Sequence, residues 1–121
     1  MYGGRIVGLA TPCLVHGCTI RNESNTGVYV RLLYQPIKSQ QEVFERRTEF
    51  QLAKGGETHI KEEEFDKGSF QIRETIQTIE VTRTDGRIQE INAPFDKVNS
   101  IELDWLFIID NANILSVKRN S

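Results

Sequence analysis

Thr78-Ile79-Glu80-Val81-Thr82-Arg83-Thr84-Asp85-Gly86-Arg87-Ile88-Gln89-Glu90-Ile91 is the stretch that decides the fold class. Two segments rich in β-branched residues flank Asp85-Gly86, a dipeptide that accepts the positive φ of a tight hairpin turn, so the stretch predicts two antiparallel strands. The same grammar continues in both directions. Val28-Tyr29-Val30-Arg31-Leu32-Leu33-Tyr34 places Val28, Val30, Leu32 and Tyr34 on one face by strand alternation. Phe44, Arg46, Thr48, Phe50 and Leu52 line up in the next extended stretch, with Arg46 and Thr48 making its inward face imperfect; a short helix over residues 40–46 is the competing reading. Lys54-Gly55-Gly56 supplies a turn, and Leu52, turn, Ile60 reads as a second hairpin.

Phe70, Ile72, Glu74 and Ile76 share one face, whereas Ile79 and Val81 have the opposite parity, so a bulge or break is required near Gln77. Farther on, Ile101, Leu103, Trp105, Phe107 and Ile109 fall on one face of a single predicted strand over residues 100–109. Its second half is apolar on both faces and is expected to be covered on both. Asp110-Asn111-Ala112-Asn113 forms a polar turn, and residues 114–119 return as the final strand. About eight short strands at close spacing, with no amphipathic helix of useful length, define an all-β chain. The expected architecture is one antiparallel β-sandwich of immunoglobulin-like or jelly-roll type spanning residues 1–121, with a closed β-barrel as the alternative.

The 121 residues fall within the usual size of one domain, and 38% hydrophobic with 26% charged residues fits a folded rather than a disordered chain. A formal net charge of -2 gives no general attraction to nucleic acid or anionic lipid. Nucleic-acid binding would also need exposed aromatics beside a basic patch. Most aromatics instead fall at inward parity, leaving Tyr2, Tyr29 and Phe95 as those expected at the surface. The first residues lack a basic region followed by an unbroken apolar run, and the longest apolar run, residues 106–109, is too short to cross a bilayer. A soluble cytoplasmic protein without membrane insertion is expected. Two cysteines agree with a reducing compartment. Asn22-Glu23-Ser24 forms a glycosylation acceptor tripeptide, of the kind that also arises by chance.

Chemistry is concentrated in Cys13-Leu14-Val15-His16-Gly17-Cys18, which holds both cysteines and one of the two histidines. A structural zinc site needs four convergent ligands, and alternation separates Cys13 from His16 and Cys18 unless Gly17 or Pro12 bends the chain. The plain reading is a buried strand, with Cys18 a small hydrophobe. A small metal-dependent or thiol enzyme using Cys13, His16, Cys18 and His59 is the alternative from a different class. Glu62-Glu63-Glu64-Phe65-Asp66 lacks the spacing of a calcium loop and reads as a solvated edge that discourages strand addition. No GxSxG elbow, Walker loop or GxGxxG turn is present.

The leading expectation is therefore a non-enzymatic binding or interaction module without a cofactor. It would hold a protein partner, or a second copy of itself, through an edge strand or end loops. The candidate contact residues are Asn22 and Asn25 in the loop 22–27, Tyr29, and Glu62 and Glu64 in the acidic run, with residues 35–41 as a further contact region. A variant of this reading has the loops holding a carbohydrate or other small ligand, with Tyr29 or Tyr34 as a stacking face.

Overall fold

A computed structural model describes residues 13–38, 43–62, 64–66 and 71–118. Twelve strands follow in order: β1 (Cys18–Asn22), β2 (Val28–Tyr34), β3 (Ile37–Lys38), β4 (Val43–Phe44), β5 (Arg47–Leu52), β6 (Glu57–Ile60), β7 (Glu64–Asp66), β8 (Gln71–Arg73), β9 (Ile76–Thr82), β10 (Ile88–Asn92), β11 (Trp105–Ile109) and β12 (Ile114–Val117). Eight of them form two four-stranded sheets, ordered β12-β11-β1-β6 and β10-β9-β2-β5, and the short strands pair as β3-β4 and β7-β8. The molecule is all-β and sandwich-like. Each large sheet has two edges among the described residues, so the barrel alternative does not hold.

The core forms where the two inner faces meet. Cys18, Ile20, Phe107 and Ile109 from the first sheet and Val30, Leu32, Ile76, Ile79 and Val81 from the second belong to one buried cluster. Alternation along β2 is complete: Val28, Val30, Leu32 and Tyr34 are buried and the residues between them are half-exposed. Phe95 and Val98, from the loop after β10, are also buried, and the Phe95 ring meets Phe107 edge-on at 5.0 Å between centroids. This corrects the expectation that Phe95 lies at the surface: Phe95 closes the side of the sandwich between β10 and β12. Tyr2 lies outside the described residues.

Two expected irregularities take definite form. The Asp85-Gly86 hairpin joins β9 to β10, with Gly86 at φ +91°. Leu33 pairs with Thr78 and Tyr34 with Ile76, so Gln77 is the extra residue of a bulge, at the position where the hydrophobic parity breaks.

Other expectations fail for physical reasons. Leu52, turn, Ile60 is not a hairpin, because β5 belongs to the second sheet and β6 to the first. The turn carries the chain across the sandwich, and Gly55 and Gly56 already bond to Asn22 at the end of β1. A corner and a hairpin share the same alternation and the same glycines. The sheets are not wholly antiparallel either: β1 and β11 run parallel, Cys18 beside Trp105 through Asn22 beside Ile109. The predicted strand over residues 100–109 is shorter than expected, since β11 starts at Trp105 and Ile101 and Leu103 are exposed. Before that point the chain is held by Leu14 to Gly17, through the bonds Glu102 N to Leu14 O, His16 N to Glu102 O and Trp105 N to Gly17 O. Residues 43–44 are strand rather than helix, and residues 39–42 lie outside the described residues.

Candidate functional site

The reactive residues of the sequence are dispersed by the fold. Val15 to Ile20 are all buried, and Cys18 and Ile20 point into the core. Burial pushes the Cys18 thiol up to about 12, and the negative charge of Asp104 adds to the effect. A thiol with that pKa holds only about one part in 10⁵ as thiolate at neutral pH, so Cys18 is a core atom rather than a nucleophile. Cys13 is half-buried against the same core, and both cysteines carry thiols. His16 donates from Nδ1 to the Glu74 carbonyl at 2.6 Å, and the same nitrogen lies 3.6 Å from Glu62 Oε2.

His59 stands on the other side of the first sheet. Its register partner is Thr19, which faces away from the core while Cys18 faces in. The four residues of the enzyme alternative therefore do not meet. Among the described residues, no group of three or more His, Cys, Asp or Glu side chains is placed to hold a metal ion.

Thr19, His59 and Asp104 do come together. Thr19 Oγ1 donates to Asp104 Oδ1 at 2.7 Å and lies 3.2 Å from His59 Nδ1, which is 3.4 Å from the same carboxylate oxygen. A carboxylate accepts, so the single hydroxyl proton of Thr19 is committed to Asp104, and His59 Nδ1 must carry its own proton to bond Thr19. This inverts the polarity of a nucleophile activated by imidazole, in which the histidine nitrogen accepts the hydroxyl proton. The trio fastens β6 to the approach to β11.

Of the predicted contact residues, Asn22 is fully buried. Its Nδ2 donates to the carbonyls of Thr26, Leu52 and Ala53, and its Oδ1 accepts from the backbone and the hydroxyl of Ser24. Asn22 thus spaces the two corners at which the chain crosses between sheets. Asn25 is exposed, and its backbone N–H donates to Asn111 Oδ1. Tyr29 is half-buried on the outer face of the second sheet, with its hydroxyl on Glu49. Glu62 lies beside His16, and Glu64 opens β7, opposite Arg73 of β8. These residues do not share one surface. Tyr34 is buried, with the Arg46 guanidinium 5.8 Å above its ring, so that face is already stacked.

Two polar anchors carried no sequence signal. Glu74, buried beside Ile76, pairs with Arg46 at 3.2 Å. Arg83 is buried as well: its guanidinium donates to Gln89 Oε1 and to the carbonyls of Asp110 and Asn113, tying the β9-β10 hairpin to the β11-β12 turn.

The surfaces of the two sheets differ in kind. On the second sheet, Arg31, Arg47, Glu49 and Glu80 form a lattice of opposite charges. On the first, register gives two outward rows, Leu115-Ile108-Arg21-Glu57 and Val117-Leu106-Thr19-His59. Each row is polar toward β6 and apolar toward β12. The edge itself follows the same division. Glu57 and His59 occupy the β6 edge, Arg47 and Glu49 the β5 edge, and Glu90 the β10 edge, whereas Ile114-Leu115-Ser116-Val117 carries no charge. An open groove of about 600 Å³ runs along β12, lined by Ile91, Phe95, Asp96, Lys97 and residues 114–117 among others.

The fold thus defines a class, an all-β chain of two four-stranded sheets. Scans of this chain against protein-family models, curated proteins and solved structures each returned no match.

Proposed function

We propose that this chain is a non-enzymatic interaction module that binds an extended segment of a protein partner along the β12 edge. The observation that carries the reading is the contrast among the four sheet edges. Three present charged side chains, which discourage strand addition, and β12 presents none while bordering an apolar strip and an open groove. An added strand gains affinity from main-chain hydrogen bonds and selectivity from alternate side chains. The scaffold is of the immunoglobulin-like rather than the jelly-roll kind in this reading, supported by the pairing of the second and fifth principal strands, β2 and β9. The two thiols support a reducing, cytoplasmic setting.

Amide hydrogen exchange tests the reading. A synthetic peptide of residues 110–118, DNANILSVK, added in excess is expected to slow exchange at Ile114 and Ser116. Unchanged exchange at both amides, in a chain whose core amides stay protected, would refute it.

A further inference from the structure

We infer that the strand received by the β12 edge is β12 of a second copy, paired antiparallel about a two-fold axis. This rests on the interaction reading above and names its partner. The main chain sets the register. Asp110 N donates to Asn113 O at 3.0 Å, and the alternation of an antiparallel ladder then turns the N–H and C=O of Leu115 and Val117 toward β11. Those of Ile114 and Ser116 point away from it, and no strand flanks β12 on that side among the described residues.

Two such edges exchange hydrogen bonds when Ile114 of one copy faces Ser116 of the other. That register centres the pair on Leu115, which meets its own symmetry mate in the closely spaced, non-hydrogen-bonded position. Leu115 is 38% exposed and lies on the outer face, so the contact buries surface that the single chain leaves in water. The same register brings Lys118, which is exposed, opposite Ala112 of the other copy, two residues from its Asp110. Asp110 is held as a carboxylate, since its Oδ1 accepts from the N–H groups of Ala112 and Asn113. A cation at one end of each strand thus approaches an anion at the start of the other, twice by symmetry.

The β10 edge is poorer in self-complementarity. Pairing β10 with itself about its centre sets Glu90 against Glu90. The β12 pairing sets no like charges opposite each other and converts two four-stranded sheets into one continuous eight-stranded sheet. Four residues of ladder and one leucine pair make a small contact, well under the roughly 1,200 Å² of standard stable interfaces, so a weak, concentration-dependent dimer is expected.

Sedimentation velocity over about 5 μM to 1 mM tests the assignment, a range suited to weak transient pairing. The wild-type chain is expected to shift from monomer to dimer within it. Leu115→Lys, which sets two ammonium groups against each other at an exposed position, is expected to weaken association at least tenfold, and Lys118→Glu several-fold. Ile88→Lys, at a more exposed apolar position on β10, is expected to leave association unchanged. A wild-type chain that stays monomeric throughout, or one that dimerises as well with Lys at position 115, overturns the proposal. A monomer whose edge still takes up the DNANILSVK peptide overturns self-pairing alone, whereas a monomer that ignores the peptide overturns the interaction reading with it.

Discussion

Replacing Gly17 by alanine is expected to be one of the most damaging single-methyl changes in the chain. A Cβ at this position would lie 2.4 Å from Leu103 O, 3.0 Å from Ile60 O and 3.1 Å from Glu62 N, all backbone atoms that cannot swing aside as a side chain would. Relief requires separating Gly17 from the strand approach that it bonds through Trp105 N. Overpacking of this kind costs about 1–3 kcal/mol, and loss of the Trp105 bond adds about 1 kcal/mol. The reduced freedom of the unfolded chain returns about 0.4–1 kcal/mol. The net expectation is a loss of about 2 kcal/mol, or a fall in Tm of roughly 8 °C for a domain of this size.

Gly27→Ala is the matched control. Its Cβ would sit 3.6 Å from Leu52 O, an ordinary contact, so its Tm is expected to stay within about 2 °C of wild type, a shift of under 1 kcal/mol. Urea unfolding of both variants with unchanged slope checks the difference. A Gly17→Ala chain that melts with the Gly27→Ala control would refute the packing argument.

Three further outcomes follow from the polar and titratable groups. Asn22→Asp sets a carboxylate against the three carbonyls that Nδ2 now serves, and is expected to cost about 3–5 kcal/mol by urea unfolding at neutral pH, with partial recovery as the pH falls toward the ordinary carboxylate value of about 4, because burial raises the folded pKa above it. Cys18, raised from 9.0 to about 12, contributes stability below its unfolded pKa that is lost as pH rises through the folded value. Melting scans of the wild type should therefore decline between about pH 9 and 12 more than those of Cys18→Ala, and thiol labelling of Cys18 at pH 8 should proceed only through unfolding. Hydrogen bonds from Asn113 and Ala112 hold Asp110 below the usual carboxylate range, so its contribution is present above the unfolded pKa and lost as pH falls through the folded one. Asp110→Asn is expected to lessen the acid-side decline of Tm, and an identical decline in both chains would contradict it.

What the sequence revealed depended on whether a feature was local. The Asp85-Gly86 hairpin, the alternation of Val28 to Tyr34 and the bulge at Gln77 are all decided within a dozen residues, and each appears where the pattern puts it. The parallel pairing of β1 with β11 depends on partners more than eighty residues apart, which no pattern along the chain encodes. Ile101 and Leu103 show the limit of alternation: they continue the apolar parity of Trp105 and Phe107, yet the chain before Trp105 is engaged by residues 14–17 instead of a ladder. Asn22 reads along the chain as a contact residue of the loop 22–27, and only the stacking of two corners makes it an internal spacer. The clustering of Cys13, His16 and Cys18 drew attention to chemistry, but strand parity turns Cys18 inward and leaves His59 outside with Thr19. The distinctive feature of β12 was an absence of charge, visible in ILSV only once the other edges were known.

The parallel union of β1 and β11 also imposes an order of assembly. The β10-β9-β2-β5 sheet draws on strands between Val28 and Asn92 and can be completed from a nascent chain before residues 105–117 have been made. The first sheet cannot: β1 is synthesised early and must wait for β11 to supply its neighbour, so closing it carries the entropic cost of a very long loop. Until then one half-built wall shelters Val30, Leu32 and Val81 poorly and leaves β1 with an unpaired edge. Folding is expected to be slow for the chain's size, and its period of greatest vulnerability to aggregation falls before residues 105–117 emerge.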